Sequence, residues 1–194
     1  MTLQCYSLLK LTGIIMKYCS DCGSTVNLLI PDGDNLPRHV CSKCGMIHYQ
    51  NPKIVAGCIP EWQSQILLCR RAIEPRSGLW TIPAGFMENG ETLQQAAQRE
   101  TYEEACANVE LKGLYSIFNL PHVNQIYVIF RGQLKEKYFA PGLESLETAL
   151  FEQDEIPWVE MAFPVVIKTL ERYFKDRESN QYPTFIDTIS KKKI

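Results

Sequence analysis

The sequence predicts an α/β domain with a small cysteine-rich module ahead of it. Three observations carry that expectation. Two Cys-x-x-Cys pairs, Cys19/Cys22 and Cys41/Cys44, stand within the first fifty residues. Four runs rich in β-branched and aromatic residues, 53–59, 65–69, 109–118 and 125–132, read as strands. Between the second and third of these lies one strongly signalled helix with carboxylates on the face that should point inward.

The cysteine pairs define the first element. They are separated by eighteen residues and each is followed by glycine, Gly23 and Gly45, which permits the tight turn that presents two thiolates together. Four thiolates at this spacing suit tetrahedral Zn²⁺, and a four-cysteine site is closed, so the metal is structural. The competing readings are a pair of disulfides or four free thiols. Adjacent Cys-x-x-Cys disulfides are usually redox-active and sit in a thioredoxin-like βαβ pattern, which is absent here. Pro31-Asp32-Gly33-Asp34 is a turn joining two short strands, as in a zinc ribbon. His39 and His48 flank the second pair and read as surface residues rather than ligands. Metal-binding cysteines also imply a reducing compartment, hence the cytoplasm.

Composition narrows the rest. The 194 residues suffice for one ordinary domain plus a small module, and 45% hydrophobic with 22% charged content is globular. A net charge of −2 offers no electrostatic footprint for nucleic acid. The ribbon itself is neutral, with Lys17, Arg38 and Lys43 against Asp21, Asp32 and Asp34. No apolar run reaches the length of a membrane span. The expected organisation is an extension over 1–15, the ribbon over 16–50, the main domain over 51–175 and a polar tail over 176–194. In the extension, Lys10 lies inside the apolar part and no small-residue cleavage site follows, so a secretory signal is a poor reading and Met16 reads as the natural first residue. Within the main domain, Pro60 to Ser64 reads as a hairpin loop, Cys58 and Cys69 as small buried residues, and Phe163-Pro164 as the start of a helix over 165–174.

The signalled helix starts at Thr92. Gln95, three positions on, closes a capping box, and the helix runs to about Cys106. At 3.6 residues per turn, Leu93, Ala96 and Ala97 share a face that Glu100, Glu103 and Glu104 continue, while Gln95, Gln98, Arg99 and Tyr102 lie opposite. Like charges one turn apart repel. A carboxylate cluster on a packing face suits a hard divalent cation such as Mg²⁺, which takes carboxylates, waters and substrate phosphates. The competing reading is a solvated acidic face. Upstream, Arg70, Arg71 and Arg76 are candidates to clamp a diphosphate, against a plain reading as surface charge paired with Glu74.

Gly85, five residues, Glu91, seven residues, Arg99-Glu100, two residues, Glu103-Glu104 is the spacing of the Nudix box, and Trp80 to Gly85 resembles the usual approach to it. The chain thus resembles the Nudix hydrolase family from about Lys53 to Phe174. It departs at Thr101 and Ala107, where the family prefers aliphatic residues, and at Cys106, where it prefers glycine. The resemblance implies an α/β/α sandwich with a mixed sheet, and Mg²⁺- or Mn²⁺-dependent hydrolysis of a nucleoside diphosphate linked to a second group. It implies Glu100 and Glu104 as principal metal ligands with Glu103 a third, the Gly85 carbonyl within reach of a metal, Arg99 orienting the carboxylates and Glu91 restraining Arg99. The general base is a box carboxylate or one of Glu144, Glu147 and Glu152. Phe118, Tyr138 and Phe139 are candidates to stack on a base, against a core role for each.

A zinc ribbon ahead of a Nudix domain is also a feature of NADH pyrophosphatases, but their Ser-Gln-Pro-Trp-Pro-Phe-Pro-type stretch is absent; Asn119-Leu120-Pro121-His122-Val123-Asn124 stands in that region. Ile156-Pro157-Trp158 and Ala162-Phe163-Pro164 are similar to zinc-ribbon Nudix proteins of the chloroplast ADP-ribose/FAD pyrophosphatase kind. That resemblance implies a small nucleotide substrate, ADP-ribose or FAD, and a homodimer. The alternatives are an NADH pyrophosphatase and a non-catalytic regulator that senses ADP-ribose or NAD.

Overall fold

The computed structural model describes residues 16–190; the extension expected over 1–15 and residues 191–194 lie outside the described residues. The chain divides after Pro52 into two compact units.

The first unit is a three-stranded antiparallel sheet: β1 (Val26–Leu29), β2 (Arg38–Cys41) and β3 (Ile47–His48). The expected turn closes β1 onto β2, with the Asp34 N–H donating to the Pro31 carbonyl at 3.0 Å and Gly33 left-handed at φ 81°.

The second unit is built on β4 (Lys53–Trp62), β5 (Gln65–Arg71), the short β6 (Trp80–Thr81) and β7 (Ala84–Phe86), helix α1 (Leu93–Ala105), β8 (Val109–Leu120), β9 (Gln125–Leu134), β10 (Ser145–Phe151), helix α2 (Pro164–Ser179) and β11 (Phe185–Thr188). Its sheet runs β10-β5-β4-β9-β8-β11, with β6 on β5 and β7 on β4. The sheet is mixed: β4 pairs parallel with β9 and β11 parallel with β8, and the remaining pairs are antiparallel. Alternation along the strands sorts the core onto two faces. Val128 and Phe130 join Ala56 under Ala96 and Ala97 of α1. Ile129, between them, joins Ile59 and Leu68 under Val166, Leu170 and Tyr173 of α2. One helix per face makes the α/β/α sandwich that the sequence resemblance implied.

Two local expectations are corrected. The hairpin loop expected at Pro60 to Ser64 is shorter, because β4 continues through Trp62 and the turn falls at Gln63, left-handed at φ 56°. Extended backbone suits proline's fixed φ, so Pro60 does not end the strand. The polar tail expected over 176–194 is part of the domain: α2 runs to Ser179 and β11 lies beside β8. The reason is aromatic. Tyr182 stacks on Tyr173 with centroids 5.8 Å apart, the Arg131 guanidinium lies 3.1 Å above the Tyr182 ring, and Phe185 meets Tyr115 and Phe118 edge-on.

Helix α1 has the expected capping box, Gln95 N–H to Thr92 Oγ1 at 3.2 Å and Thr92 N–H to Gln95 Oε1 at 2.8 Å. Its far end keeps the left-handed conformation that glycine would relieve: Cys106 caps the helix at φ 48° and ψ 28°, its N–H on the Tyr102 carbonyl at 2.8 Å. A side chain there costs about 1 kcal/mol relative to glycine. Cys106→Gly is therefore expected to raise the urea midpoint by the equivalent of about 0.5–1 kcal/mol with an unchanged slope. A lower midpoint would show that the Cys106 side chain contributes more than its backbone costs.

Candidate functional site

In the second unit, α1 lies against the sheet through Ala96 and Ala97, so small that the helix approaches closely and carries Glu100 and Glu104 down with it. Both carboxylate residues are buried, at 8% and 6% exposure. Strand β7 lies beneath them. Gly57 on β4 makes room for β7, because a Cβ there would run into Ala84. Gly85 makes room in turn for Glu100, whose carboxylate occupies the place a Cβ would take. The Ala84 N–H donates to Glu104 Oε2 at 3.2 Å.

Glu103 departs from the expected common face. It stands about 100° round the helix from Glu104, its side chain is 57% exposed, and it occupies the rim. Thr101 takes the buried position instead, its hydroxyl donating to the Ala97 carbonyl at 2.7 Å. Arg99 gathers the rim. Nη1 donates to Glu100 Oε1 at 2.8 Å and Glu103 Oε2 at 2.9 Å, Nε and Nη2 reach Glu91 at 3.0 and 2.8 Å, and Nη2 also donates to the Phe86 carbonyl. The Arg99 hydrogen bonds, then the Glu88 N–H, hold the Glu91 carboxyl down at about 2. Burial works the other way deeper in, pushing Glu100 up and Glu104 up to about 8. The neighbouring Glu100 and Glu144 charges add to the rise at Glu104, and its Ala84 hydrogen bond opposes it.

Ala84, Gly85, Arg99, Glu100, Glu103 and Glu104 line a groove of about 860 Å³ together with Arg71, Tyr127, Phe163 and Glu144. Of the three arginines expected to meet phosphate, only Arg71 lines the groove. Its Nε donates to the Pro75 carbonyl at 3.0 Å and its guanidinium lies 5.2 Å over the Phe163 ring. Arg70 is turned onto the Gly78 carbonyl at 2.9 Å and toward Glu147 at 3.6 Å, and Arg76 lies outside the groove lining. Phe118 is corrected as well: at 1% exposure it is core, edge-on to Phe185, and has no face left for a base. Tyr138 and Phe139 also stand outside the groove lining. Of the three candidate bases, Glu144 lines the groove, Glu147 faces Arg70, and Glu152 accepts from Ser64 Oγ at 2.7 Å. Tyr127 and Leu143 were not singled out in the sequence, and nothing local marks them, since the groove joins segments far apart in the chain.

The donor set fits a hard cation. Burial makes both carboxyls harder to ionise than their hydrogen bonds offset, and a divalent ion would favour their charged forms.

In the first unit the four sulfurs of Cys19, Cys22, Cys41 and Cys44 all lie within 4.8 Å of one another, with Cys19–Cys44 at 3.7 Å and Cys22–Cys41 at 3.4 Å. Bonds of about 2.3 Å around a tetrahedral zinc would separate sulfurs by about 3.8 Å. The cradle favours thiolate: N–H groups of Cys44 and Lys43 donate to Cys41 Sγ, both at 3.4 Å, and hold that thiol at about 6. His48, expected at the surface, is half-buried, with Nε2 3.3 Å from Cys19 Sγ, outside the four-sulfur set.

Two family profiles match the chain. "Nudix N-terminal", a zinc ribbon, covers residues 17–50, and "NUDIX domain" covers residues 51–172. The chain belongs to the NUDIX family. It is a Nudix pyrophosphohydrolase with a structural zinc ribbon, in a family that uses Mg²⁺ or Mn²⁺. It is similar to a crystallised NUDIX hydrolase from Nitrosomonas europaea, 54% identical, with a TM-score of 0.88 over 91% of this chain and 100% of that one. It is also 29% identical to an ADP-ribose pyrophosphatase of Methanocaldococcus jannaschii, over 64% of this chain and 76% of that protein. The NAD-capped RNA hydrolase NudC of Chromobacterium violaceum is 29% identical over 80% of this chain, which spans 58% of that relative's length.

Cys41→Ser is expected to lower zinc from about one ion per chain to well below that by elemental analysis; equal zinc in variant and parent would refute the four-sulfur site. The Glu104 carboxyl predicts a pH dependence. Its folded value of about 8 lies above the ordinary 4.5, so between those values the folded chain holds more protons than the unfolded one and stability falls as pH rises. Urea unfolding without added Mg²⁺ should therefore show a lower midpoint at pH 8 than at pH 5. Glu104→Gln should flatten that slope, and added Mg²⁺ should reduce it.

Proposed function

We propose that the chain hydrolyses the pyrophosphate bond of ADP-ribose or FAD, releasing AMP and the phosphorylated remainder. The observation that carries this reading is a pair of buried carboxylates, Glu100 and Glu104, lining the same groove as an arginine, Arg71. Glu100 and Glu104 would hold the divalent cation, and Glu103 would support it from the rim. When bound, the cation supplies charge neutralisation at the phosphoryl oxygens and a more acidic water. Arg99 holds Glu100 inside the groove and Glu103 at its rim, and Glu91 keeps Arg99 in place. The Arg71 guanidinium pairs with a phosphate oxygen on the other wall. Water adds to one phosphorus as the bridging P–O bond breaks, so each product leaves with its own phosphate.

Support for the substrate comes from the resemblance at Ile156-Pro157-Trp158 and Ala162-Phe163-Pro164 and from the ADP-ribose pyrophosphatase relative. A second reading has a specific observation behind it: several relatives are named NAD-capped RNA hydrolases, which favours an NAD-type diphosphate, free or at an RNA end. The full set of box carboxylates supports an enzyme over a non-catalytic sensor. We further infer a cytoplasmic location from the metal-binding cysteines and a homodimer from the family resemblance.

The test is a panel of ADP-ribose, FAD, NADH and NAD-capped RNA with Mg²⁺, products followed by chromatography. AMP from ADP-ribose or FAD with the highest kcat/KM is the expected result, and a preference for NADH or capped RNA would transfer the assignment to the second reading. Glu104→Gln should lower kcat on the preferred substrate by about 100-fold or more. Unchanged turnover in that variant would remove Glu104 from the mechanism.

A further inference from the structure

Two segments far apart in the chain are fixed to each other through β6. Successive carbonyls of an extended chain point to opposite sides, and those of Leu79 and Trp80 are both used. The Arg71 N–H donates to the Leu79 carbonyl at 2.9 Å, and the Ala162 N–H donates to the Trp80 carbonyl at 2.8 Å. The end of β5 and the start of α2 are thereby held to one short strand, and the pairings of Trp80 with Arg70 and with Met161 extend the same attachment. Phe163 is the N-cap of α2. Its carbonyl accepts from the N–H groups of Val166 and Ile167 at 3.0 and 3.2 Å, and Pro164 follows it with a fixed φ. The Phe163 ring therefore has a rigid mount, and it lines the groove.

Arg71, at the end of β5, carries its guanidinium 5.2 Å over that ring, and its Nε donates to the Pro75 carbonyl at 3.0 Å. The loop bearing Pro75 is itself closed, with the Gly78 N–H on the Arg71 carbonyl at 2.8 Å and the Arg76 N–H on Glu74 Oε2 at 2.9 Å. A guanidinium carries its remaining donors on Nη1 and Nη2. Among the described residues, those of Arg71 meet no carboxylate and no carbonyl. Arg99, the other arginine lining the groove, differs, because its terminal nitrogens are bonded to Glu91, Glu100, Glu103 and the Phe86 carbonyl. Arg71 is thus the groove arginine with donors left for an incoming anion. Its charge also opposes the rise at Glu104, which sets it near the buried carboxylates.

We propose that Phe163 is a positioning residue for Arg71: its ring supports the guanidinium, the Pro75 carbonyl fixes the direction of Nε, and Nη1 and Nη2 are aimed at a phosphate of the substrate. The inference rests on the Arg71–phosphate contact proposed above and adds the group that makes that contact directional. A long arginine side chain loses rotamer freedom when it clamps a ligand. Here two contacts within the protein already restrict it, so less freedom is lost on binding. The ring has a second effect, since it keeps water from one side of the guanidinium and leaves the terminal donors to the phosphate. Phe163 acts through Arg71 and not on the groups beyond the phosphates. Its contribution is therefore the same for every substrate that carries a diphosphate, whereas a ring that stacked on a substrate's second group would favour one substrate over another.

The test measures kcat and KM for the parent, Phe163→Leu, Phe163→Tyr, Arg71→Met and the double variant of Phe163→Leu with Arg71→Met, on the substrates that the panel shows to be cleaved. Phe163→Leu keeps an apolar side chain without a π face, and should raise KM by about 3- to 10-fold. Its kcat should change by less than about twofold, as expected for a loss of binding made equally in ground and transition states. Phe163→Tyr keeps the face and should hold KM within about twofold of the parent. Arg71→Met should raise KM by about 10- to 100-fold. Without the guanidinium the ring has nothing to aim, so adding Phe163→Leu to Arg71→Met should change KM by less than about twofold. Should Phe163→Leu loosen the start of α2, Phe163→Met makes the same comparison. Binding of Mn²⁺, followed by electron paramagnetic resonance, should be retained in every variant. Parental KM in both Phe163→Leu and Phe163→Met overturns the positioning role. So does a KM in Phe163→Tyr as high as in Phe163→Leu, an equal rise from Phe163→Leu with and without Arg71, a rise confined to one substrate, or loss of Mn²⁺ binding alongside the rise. Unchanged KM in Arg71→Met overturns the phosphate contact and leaves the hydrolysis intact. A parent inactive on every pyrophosphate in the panel overturns both.

Discussion

Two carboxylates on the packing face of one helix are the constraint around which the main domain is arranged. Removing a charge from water is costly unless something positive accompanies it. Glu100 and Glu104 are buried by the same contact that docks α1, the seating of Ala96 and Ala97 on Ala56, Val128 and Phe130. The helix cannot rotate to expose them without withdrawing its alanines. The protein's own offsets are partial: one N–H from Ala84 for Glu104 and one side of Arg99 for Glu100. What remains leaves both carboxyls harder to ionise than in water, and a divalent cation would restore their charged forms.

Small residues make the geometry attainable. Gly57 lets β7 lie on β4, Gly85 lets Glu100 lie on β7, and Gly142 lets the β9–β10 loop lie on the end of α1. None of the three has the left-handed backbone that usually explains a glycine. Each is there because another atom occupies the space of its Cβ. The groove is thus a stack of close backbone approaches with the acidic groups at its centre.

The box spacing made the acidic half of this site legible before any coordinates. Helix α1 and its capping box follow from interactions within about twenty residues, where periodicity and local hydrogen bonding decide the outcome, and the Glu91–Arg99 pairing was implied by the family resemblance. The zinc cradle was legible for the same reason, since a Cys-x-x-Cys turn carries both its ligands and the N–H groups that favour thiolate. The far wall was not. Arg70, Arg71 and Arg76 look alike in sequence. Strand alternation turns Arg70 away, and a tight turn at Arg76 keeps that residue outside the groove. Phe118 was a candidate to stack on a base against the commoner core role, and β11 covers it.

What the sequence by itself determined is therefore the chemistry: a four-sulfur metal module, an acidic helix with its arginine partner, and membership of a hydrolase class. Only the tertiary structure decided which arginine and which glutamate line the groove, because Arg71 and Glu144 reach it through sheet register and a loop docked on a helix end. Those depend on contacts between residues tens of positions apart, and no local spacing encodes them.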